Sequence, residues 1–367
     1  MRAYIPPSPV GLPEELAAGI ADFESIARVV LGVRGLKILA FGPRPQDFLA
    51  CNAPLQPLFD LGVEVMENSE LDLLRLYRAA EQEHRQIARV VAEMKQELGP
   101  GATYPDLLPR LAQFEVALEG FMRQNLGASR FAVFANKCWP AFEPEFGFVP
   151  CYVNGRLAAR GIPVACEVDM YGALSEYLVQ LAALQPATLL DVNNSVPDDL
   201  LPKKAGLAGA AQGDLFMGFH CGNTAAACMK NCRMNYQVIM NRLMEGGRAA
   251  DITRGTLEGQ LRPGPMTLCR LQATPDCRLQ SYVAEGEILD IDPCSFGSIG
   301  IIAIAGFARF YRHVLVGKRF PHHAAVGFDR AGKILFEALR LLGVDDVSAP
   351  LPPAVLYPGE NPFDVRA

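Results

Sequence analysis

Residues 161–169 read GIPVACEVD: an apolar run of strand character delivers two carboxylates, Glu167 and Asp169, just past its end. A charge there is costly unless it is paired or bound to something. Two further stretches repeat the arrangement, ATLL running into Asp191 and DLFMGF running into His220. A fourth, RFPHHAAVGF, places His322 and His323 side by side before an apolar run. Carboxylates with imidazole form an oxygen and nitrogen donor set suited to divalent Mn, Fe, Co or Zn, with Mn favoured where carboxylates dominate. Each residue taken alone also reads as a helix N-cap or a satisfied polar group; their recurrence at strand ends points to a metal site. Successive side chains of an extended segment face opposite ways, so at most one of His322 and His323 is expected to face a given site easily.

From about residue 130 the pattern is strand, loop, helix, repeated. RFAVFA, GIPVAC, ATLL and DLFMGF read as strands, while MYGALSEYLVQLAAL and TAAACMKNCRMNYQVIMNRLM read as helices. Such alternation implies βαβ units and a parallel sheet covered on both faces. Glu167, Asp191 and His220 are then expected at the carboxyl edge of one sheet, where open α/β sheets bind ligands. Ahead lie a Pro-rich arm, the helical PEELAAGIADFESIARVVLG, the strand LKILAFG and a long helix over 69–98. Ser69 and Asp72 form a capping box for that helix and GPG stops it; His84 is expected on its surface. Beyond 253, short strands separated by Gly/Pro turns predict antiparallel structure or a barrel, with His313 on a strand surface. AGKILFEALRLLGV reads as a last helix before a Pro-rich tail. The expected fold class is α/β, with a parallel, doubly wound sheet domain over 1–250 carrying the acidic ligands, its arm and first helix occupying 1–35. An antiparallel β-rich or barrel domain follows over 251–367, with the His-His motif and the terminal helix.

The length of 367 residues suits two domains, and a composition half hydrophobic and 20% charged is that of a packed globular chain. The net charge of -6 argues against a nucleic-acid or anionic-membrane partner. No charge-free apolar run reaches the roughly 18 residues of a membrane span, and MRAYIPPSPVGLPEEL lacks the form of a signal peptide. Ten cysteines are too dilute for a disulfide scaffold, so the chain reads as cytoplasmic with reduced thiols. Cys221, Cys228 and Cys232 follow His220 in a C-x6-C-x3-C spacing that matches no structural zinc pattern, and are expected to pack in the core, the last two on a helix. Cys138 and Cys166 are likewise expected to be buried.

CWPAFEPEFGFVPCYVNGRLAARGIPVACEVDMYGAL, LLDVNN, FHCGN, GTLEGQLRPGPMTL and FPHHAAVGF together resemble the L-fucose/L-arabinose isomerase superfamily, more closely its fucose isomerase branch. LKILAFGPRPQDFLACNAPLQPLFDLGVEVMENSELDLL is similar to that family's second domain. The resemblance implies a metal-dependent aldose–ketose isomerase acting on a pentose, deoxyhexose or related sugar through a cis-enediol, normally with Mn2+, other divalent ions being able to serve. It places the metal on Glu167, Asp191 and His323, with His220 matching a further histidine of the arabinose isomerase branch. Glu167 and Asp191 are also the pair implied to move the proton. Asp169 reads as a supporting or structural group. Trp139 and His322 are candidates for the sugar face, Trp139 equally for plain core packing. The implied partners are a small sugar and further copies of the chain, as a trimer or hexamer, with no nucleic acid and no membrane. The chain is expected to start at the family's second domain, without the first N-terminal domain that helps close the pocket of a neighbouring subunit. Two alternatives stand beside this: a non-catalytic sugar- or metal-binding homologue or assembly partner of a full-length isomerase, and a structural Cys/His zinc protein.

Overall fold

The computed structural model describes residues 2–193, 195–201, 210–239 and 250–363. Its first layer follows from short apolar strands separated by helices. Helix α1 (Pro13–Arg34) leads into β1 (Leu36–Gly42), α2 (Gln56–Asp60), β2 (Glu64–Ser69) and α3 (Glu70–Ala79). Then come α4 (His84–Leu98), α5 (Leu108–Asn125), β3 (Phe131–Ala135), α6 (Phe142–Phe146), α7 (Cys151–Ala159), β4 (Val164–Ala165) and α8 (Met170–Ala183). The four strands pair in parallel in the order β2-β1-β3-β4. Both faces are covered, as parallel sheets require. Leu39 and Phe41 of β1 point into a core shared with α3, α4 and α5, while Ile38 and Ala40 point into one shared with α1 and α8.

The second layer is a nine-stranded sheet of β5 (Ala187–Asn193), β6 (Leu215–His220), β7 (Met229–Tyr236), β8 (Arg254–Leu261), β9 (Gly264–Ala273), β10 (Leu279–Ile288), β11 (Ser298–Ala303), β12 (His323–Gly327) and β13 (Asp346–Ser348). The run β10-β9-β12-β5-β6-β11 is antiparallel at every step, and β10 pairs back onto β11, closing a barrel. Strand β8 extends it in parallel from β11, β7 lies antiparallel on β8, and β13 flanks β10 in parallel. Helix α8 lies between the two sheets and touches strands of both. That position explains why Tyr171 to Val179 are buried without a break: a helix sandwiched between layers has no polar face. No helix among the described residues is long and apolar enough to cross a membrane.

The expected architecture, a parallel α/β sheet followed by a β-rich barrel, is present, but several elements fall differently. Strands β5 and β6 belong to the barrel and run antiparallel to each other, so Asp191 and His220 do not share a sheet with β4. A short apolar run specifies a strand, not its partner, and β12, the partner of β5, lies far downstream. The segment read as a helix after residue 223 forms instead a turn at Ala226–Cys228 and strand β7, because pairing with β8 overrides the helix preference of its Ala, Met and Lys residues. Its continuation over 240–244 lies outside the described residues. The capping box at Ser69 forms, with Ser69 Oγ accepting from Asp72 N at 3.2 Å and Ser69 N donating to Asp72 Oδ2 at 3.0 Å. The helix it opens nevertheless breaks at a turn over Ala80–Gln82, and exposed His84 begins α4. His313 lies on a wide helical turn over Tyr311–Val316, its ring stacked on Tyr357, rather than on a strand.

Barrel closure depends on a close approach at Gly286, where an added Cβ would sit 2.2 Å from the Ala303 carbonyl oxygen. Gly286→Ala should therefore force β10 from β11 and lower the unfolding free energy by about 1–3 kcal/mol. Gly120→Ala, with nothing near its added Cβ on α5, should leave the urea midpoint unchanged or raise it. A midpoint equally unaffected in both variants would rule out this account of closure.

Candidate metal centre

The cluster is assembled by strand register. Strand β12 sets His323 directly opposite Asp191 of β5, and β5 sets Asp191 opposite Phe219 of β6. Directly opposed residues share a face with their Cβ atoms about 5 Å apart. His323 and Asp191 thus share one face of two neighbouring strands, whereas His220, one step past Phe219 and so out of that alternation, reaches the cluster from the last residue of the third strand, β6. Glu167 arrives from the other layer, on the turn Cys166–Val168 between β4 and α8. Its φ and ψ are 55° and 22°, and Val168 follows at φ 56°. Two consecutive non-glycine residues in the left-handed region, one of them β-branched, each cost of order 1–3 kcal/mol. The turn is held on both sides: Val168 N–H donates to Asn136 O at 2.8 Å, and Asp169 caps α8 by accepting from Gly172 N–H at 2.8 Å.

The atoms converge on one nitrogen. His323 Nε2 lies 3.6 Å from Glu167 Oε2 and 3.4 Å from Asp191 Oδ1. His220 Nε2 lies 3.5 Å from Glu167 Oε2, and His322 Nε2 lies 3.6 Å from Asp191 Oδ1. The donors thus form two sets, Glu167–His220–His323 and Asp191–His322–His323, which share His323. A third set, Cys51–Asp169–His323, is close enough in space, but both Asp169 oxygens are bound by Arg270, at 2.6 and 2.9 Å, so a cation there would meet a guanidinium.

Glu167 Oε2, Asp191 Oδ1, His220 Nδ1 and His323 Nε2 are all buried without a hydrogen-bond partner. Buried polar atoms are paired in the great majority of cases. The first two and His323 Nε2 lie together in the cluster, which His220 enters by its other nitrogen, Nε2. Three such orphans fit a divalent cation, and the mixture of carboxylate and imidazole suits Mn2+ or a neighbouring transition metal. The charges lean the same way. Burial opposes ionisation of Glu167, but contact with His220 and the charges of His220 and His323 outweigh it and hold the carboxyl below its ordinary value. Burial pulls His220 down, yet its contact with Glu167, helped by Asp191, raises it to about 9. Burial and then His323 lower His322.

Glu167, Asp191, His220, His322 and His323 are thus brought together. Both adjacent histidines reach Asp191, because His322 precedes β12 and escapes the strand's alternation; its side chain is 42% exposed at the mouth. The Trp139 ring stands 6.0 Å from that of Phe48, which lies 6.1 Å from each of His322 and His323, and Trp139 packs against the buried Cys138 group. Cys138 and Cys166 are buried with their sulfurs 4.0 Å apart. Cys221, Cys228 and Cys232 enter no donor set among the described residues, and Cys228 and Cys232 sit on a turn and on β7 rather than a helix. Sequence reasoning missed Phe48, Cys51, Glu176 and Arg270. Phe48 and Cys51 follow the Gly/Pro turn after β1, at a strand's carboxyl end where ligands gather. Glu176 is buried within α8, and burial pushes its carboxyl up to about 8. Arg270 did carry a signal: an arginine inside the apolar run MTLCRLQA requires a buried acid.

Comparison with known proteins agrees with the resemblance read from the motifs. Residues 218–348 match the family described as L-fucose isomerase, C-terminal domain. The chain is also similar to proteins named sulfoquinovose isomerase. That of Priestia megaterium is 22% identical over 324 residues, covering 88% of this chain and 66% of the relative. That of Alkalicoccus urumqiensis is 24% identical over 325 residues, covering 87% and 67%. That of Clostridium sp. (strain MSTE9) is 26% identical over 294 residues, covering 76% and 58%. The chain therefore spans about two thirds or less of the length of these relatives.

The His220–Glu167 contact makes a signed prediction for the metal-free protein. A histidine raised from 6.5 to about 9 on folding stabilises the fold fully below pH 6.5, and that contribution is lost as pH rises through about 9. Urea unfolding in chelator-treated buffer should lose stability between those limits, by at most about 3 kcal/mol. His220→Asn should flatten that part of the profile; an unchanged slope in the variant would refute the pairing.

Proposed function

We propose that this chain carries the active site of a metal-dependent aldose–ketose isomerase, acting through a cis-enediol on a pentose, deoxyhexose or related sugar. Mn2+ or a similar ion would be held by Glu167, Asp191 and His323, with His220 completing the set. The observation that carries the reading is the cluster of buried, unpartnered carboxylate and imidazole atoms around His323 Nε2. The sugar isomerase names of the relatives support it.

When bound, the ion supplies Lewis-acid polarisation of the sugar's carbonyl and adjacent hydroxyl. The chain's own groups then have to move two protons, one between C2 and C1 and one between the two oxygens. Glu167 is enclosed and held ionised by His220, which suits a base that takes the C2 proton at a carboxylate oxygen and returns it at C1 on the same face. The Asp191 side chain is 29% exposed and lies beside the half-exposed His322; this pair suits the proton that passes between the oxygens. Phe48, in ring contact with both Trp139 and His322 beside the cluster, would with them face the sugar and limit water.

Metal analysis of the purified protein should find roughly one Mn or similar ion per chain after Mn loading. Glu167→Gln and His323→Ala should both lose it, and EDTA should abolish ketose formation until Mn2+ is restored. An aldose screen should include sulfoquinovose, named in the relatives, together with L-fucose and L-arabinose. In D2O, Glu167→Gln should stop exchange at C2. No ion after loading, or full retention in both variants, would sink the ligand assignment. Metal binding with no turnover, and indifference to Asp191→Asn, would move the chain to the non-catalytic alternative.

A further inference from the structure

We infer that Arg270, on β9, is a positioning residue of the metal centre: acting through Asp169, it fixes His323 as the Nδ1–H tautomer with Nε2 turned to Glu167 and Asp191, and it denies the ion the rear donor set. The inference rests on reading the cluster as a metal centre.

His323 is the donor common to both front sets, so the orientation of its ring decides whether Glu167 and Asp191 can share one ion. Its Nδ1 lies 2.8 Å from Asp169 Oδ2. The remaining partners of Asp169 are all donors. Oδ2 accepts from Arg270 Nη1 at 2.6 Å, while Oδ1 accepts from Arg270 Nη2 at 2.9 Å and from Gly172 N–H at 2.8 Å. A carboxylate so filled is an acceptor only, so the hydrogen shared with His323 sits on Nδ1. Nε2 is then the ring nitrogen left to ligate an ion held between the two front carboxylates.

Arg270 is itself fully buried, and its Nε and Nη2 donate to Gln272 Oε1 at 3.2 and 2.6 Å. The planar fork is thus locked between Gln272 and Asp169, a two-sided grip that a lysine cannot reproduce. The same guanidinium sits against the Cys51–Asp169–His323 set, where Cys51 Sγ lies 3.7 Å from His323 Nδ1. With Arg270 in place, three spatially available donor sets reduce to the two that share Nε2.

Two measurements test this. In the Zn2+-loaded, diamagnetic protein, nitrogen NMR of labelled histidine should show His323 protonated at Nδ1 and metal-bound at Nε2. By competition with a chromophoric chelator, Arg270→Lys and Asp169→Asn should each bind Mn2+ about 10–100-fold more weakly, the usual consequence of removing a partner behind a ligating histidine. Arg156→Lys disturbs a comparable buried pair with Glu115, at 2.7 Å and away from the cluster, and should lower the melting temperature while leaving Mn2+ affinity unchanged. If one Arg270 or Asp169 variant fails to fold, the other and the wild-type NMR still decide. Wild-type protein that takes no ion refutes the metal-centre reading itself. Wild-type protein that binds, but through Nδ1 or with variants as tight as the parent, overturns only the role of Arg270.

Discussion

The site depends on the register between β12 and β5. His323 faces Asp191 because these residues are paired across the two strands. Side chains alternate with period two, so a slip of one residue would bring His322 opposite Asp191 and turn His323 to the other side of the wall. Several features pin the pairing. Strand β12 is buried at every residue and bonded on both sides, to β5 and to β9. Val192 N–H donates to His322 O at 2.9 Å just beyond the paired stretch. At Gly327 the strand meets α8 so closely that an added Cβ would lie 2.4 Å from Val179 Cγ1. Closure of the barrel leaves these central strands no free edge along which to slide.

This dependence explains what was legible in the sequence. Glu167, Asp191 and His220 stood out because acids and imidazole at the ends of apolar runs are costly to bury, which is local information. The sheet that Asp191 and His220 occupy was not local: the partner of Asp191 is His323, and no periodicity in residues 187–220 encodes a strand that far away. The helix expected over β7 failed similarly, since its Ala, Met and Lys residues prefer a helix until β8 offers a ladder. Arg270 and Asp169 are separated by 101 residues. Asp169 drew notice beside Glu167 while Arg270, equally a charge in an apolar setting, was passed over, and nothing in the chain said that each answered the other.

The buried acids are treated in two ways, and the difference defines the centre. Asp169 lies at the N-terminus of α8, where the helix dipole favours an anion, and receives a backbone N–H, a guanidinium and an imidazole N–H. Glu167 and Asp191 each keep one buried oxygen without a partner. A chain maximising its own stability would place the strong cation beside the unsatisfied acids; here Arg270 stands behind the histidine instead. The front is left short of positive charge, and Glu167 reaches it only through a left-handed backbone shared with Val168. Local rules broken at one place and supported from its surroundings mark a functional site more often than a folding defect.

In the metal-free protein a proton partly fills that deficit. His220, raised to about 9 by Glu167, carries a positive charge where the carboxylates most need one. A divalent ion recruiting His220 must displace that proton, because only neutral imidazole ligates. Loading should then strengthen as pH rises toward 9, even as the metal-free fold loses the His220–Glu167 contribution over the same interval. Both trends have one cause, a cluster of buried acids that is stable only with a positive charge among them, and they favour the metal-bound form as the proton is withdrawn.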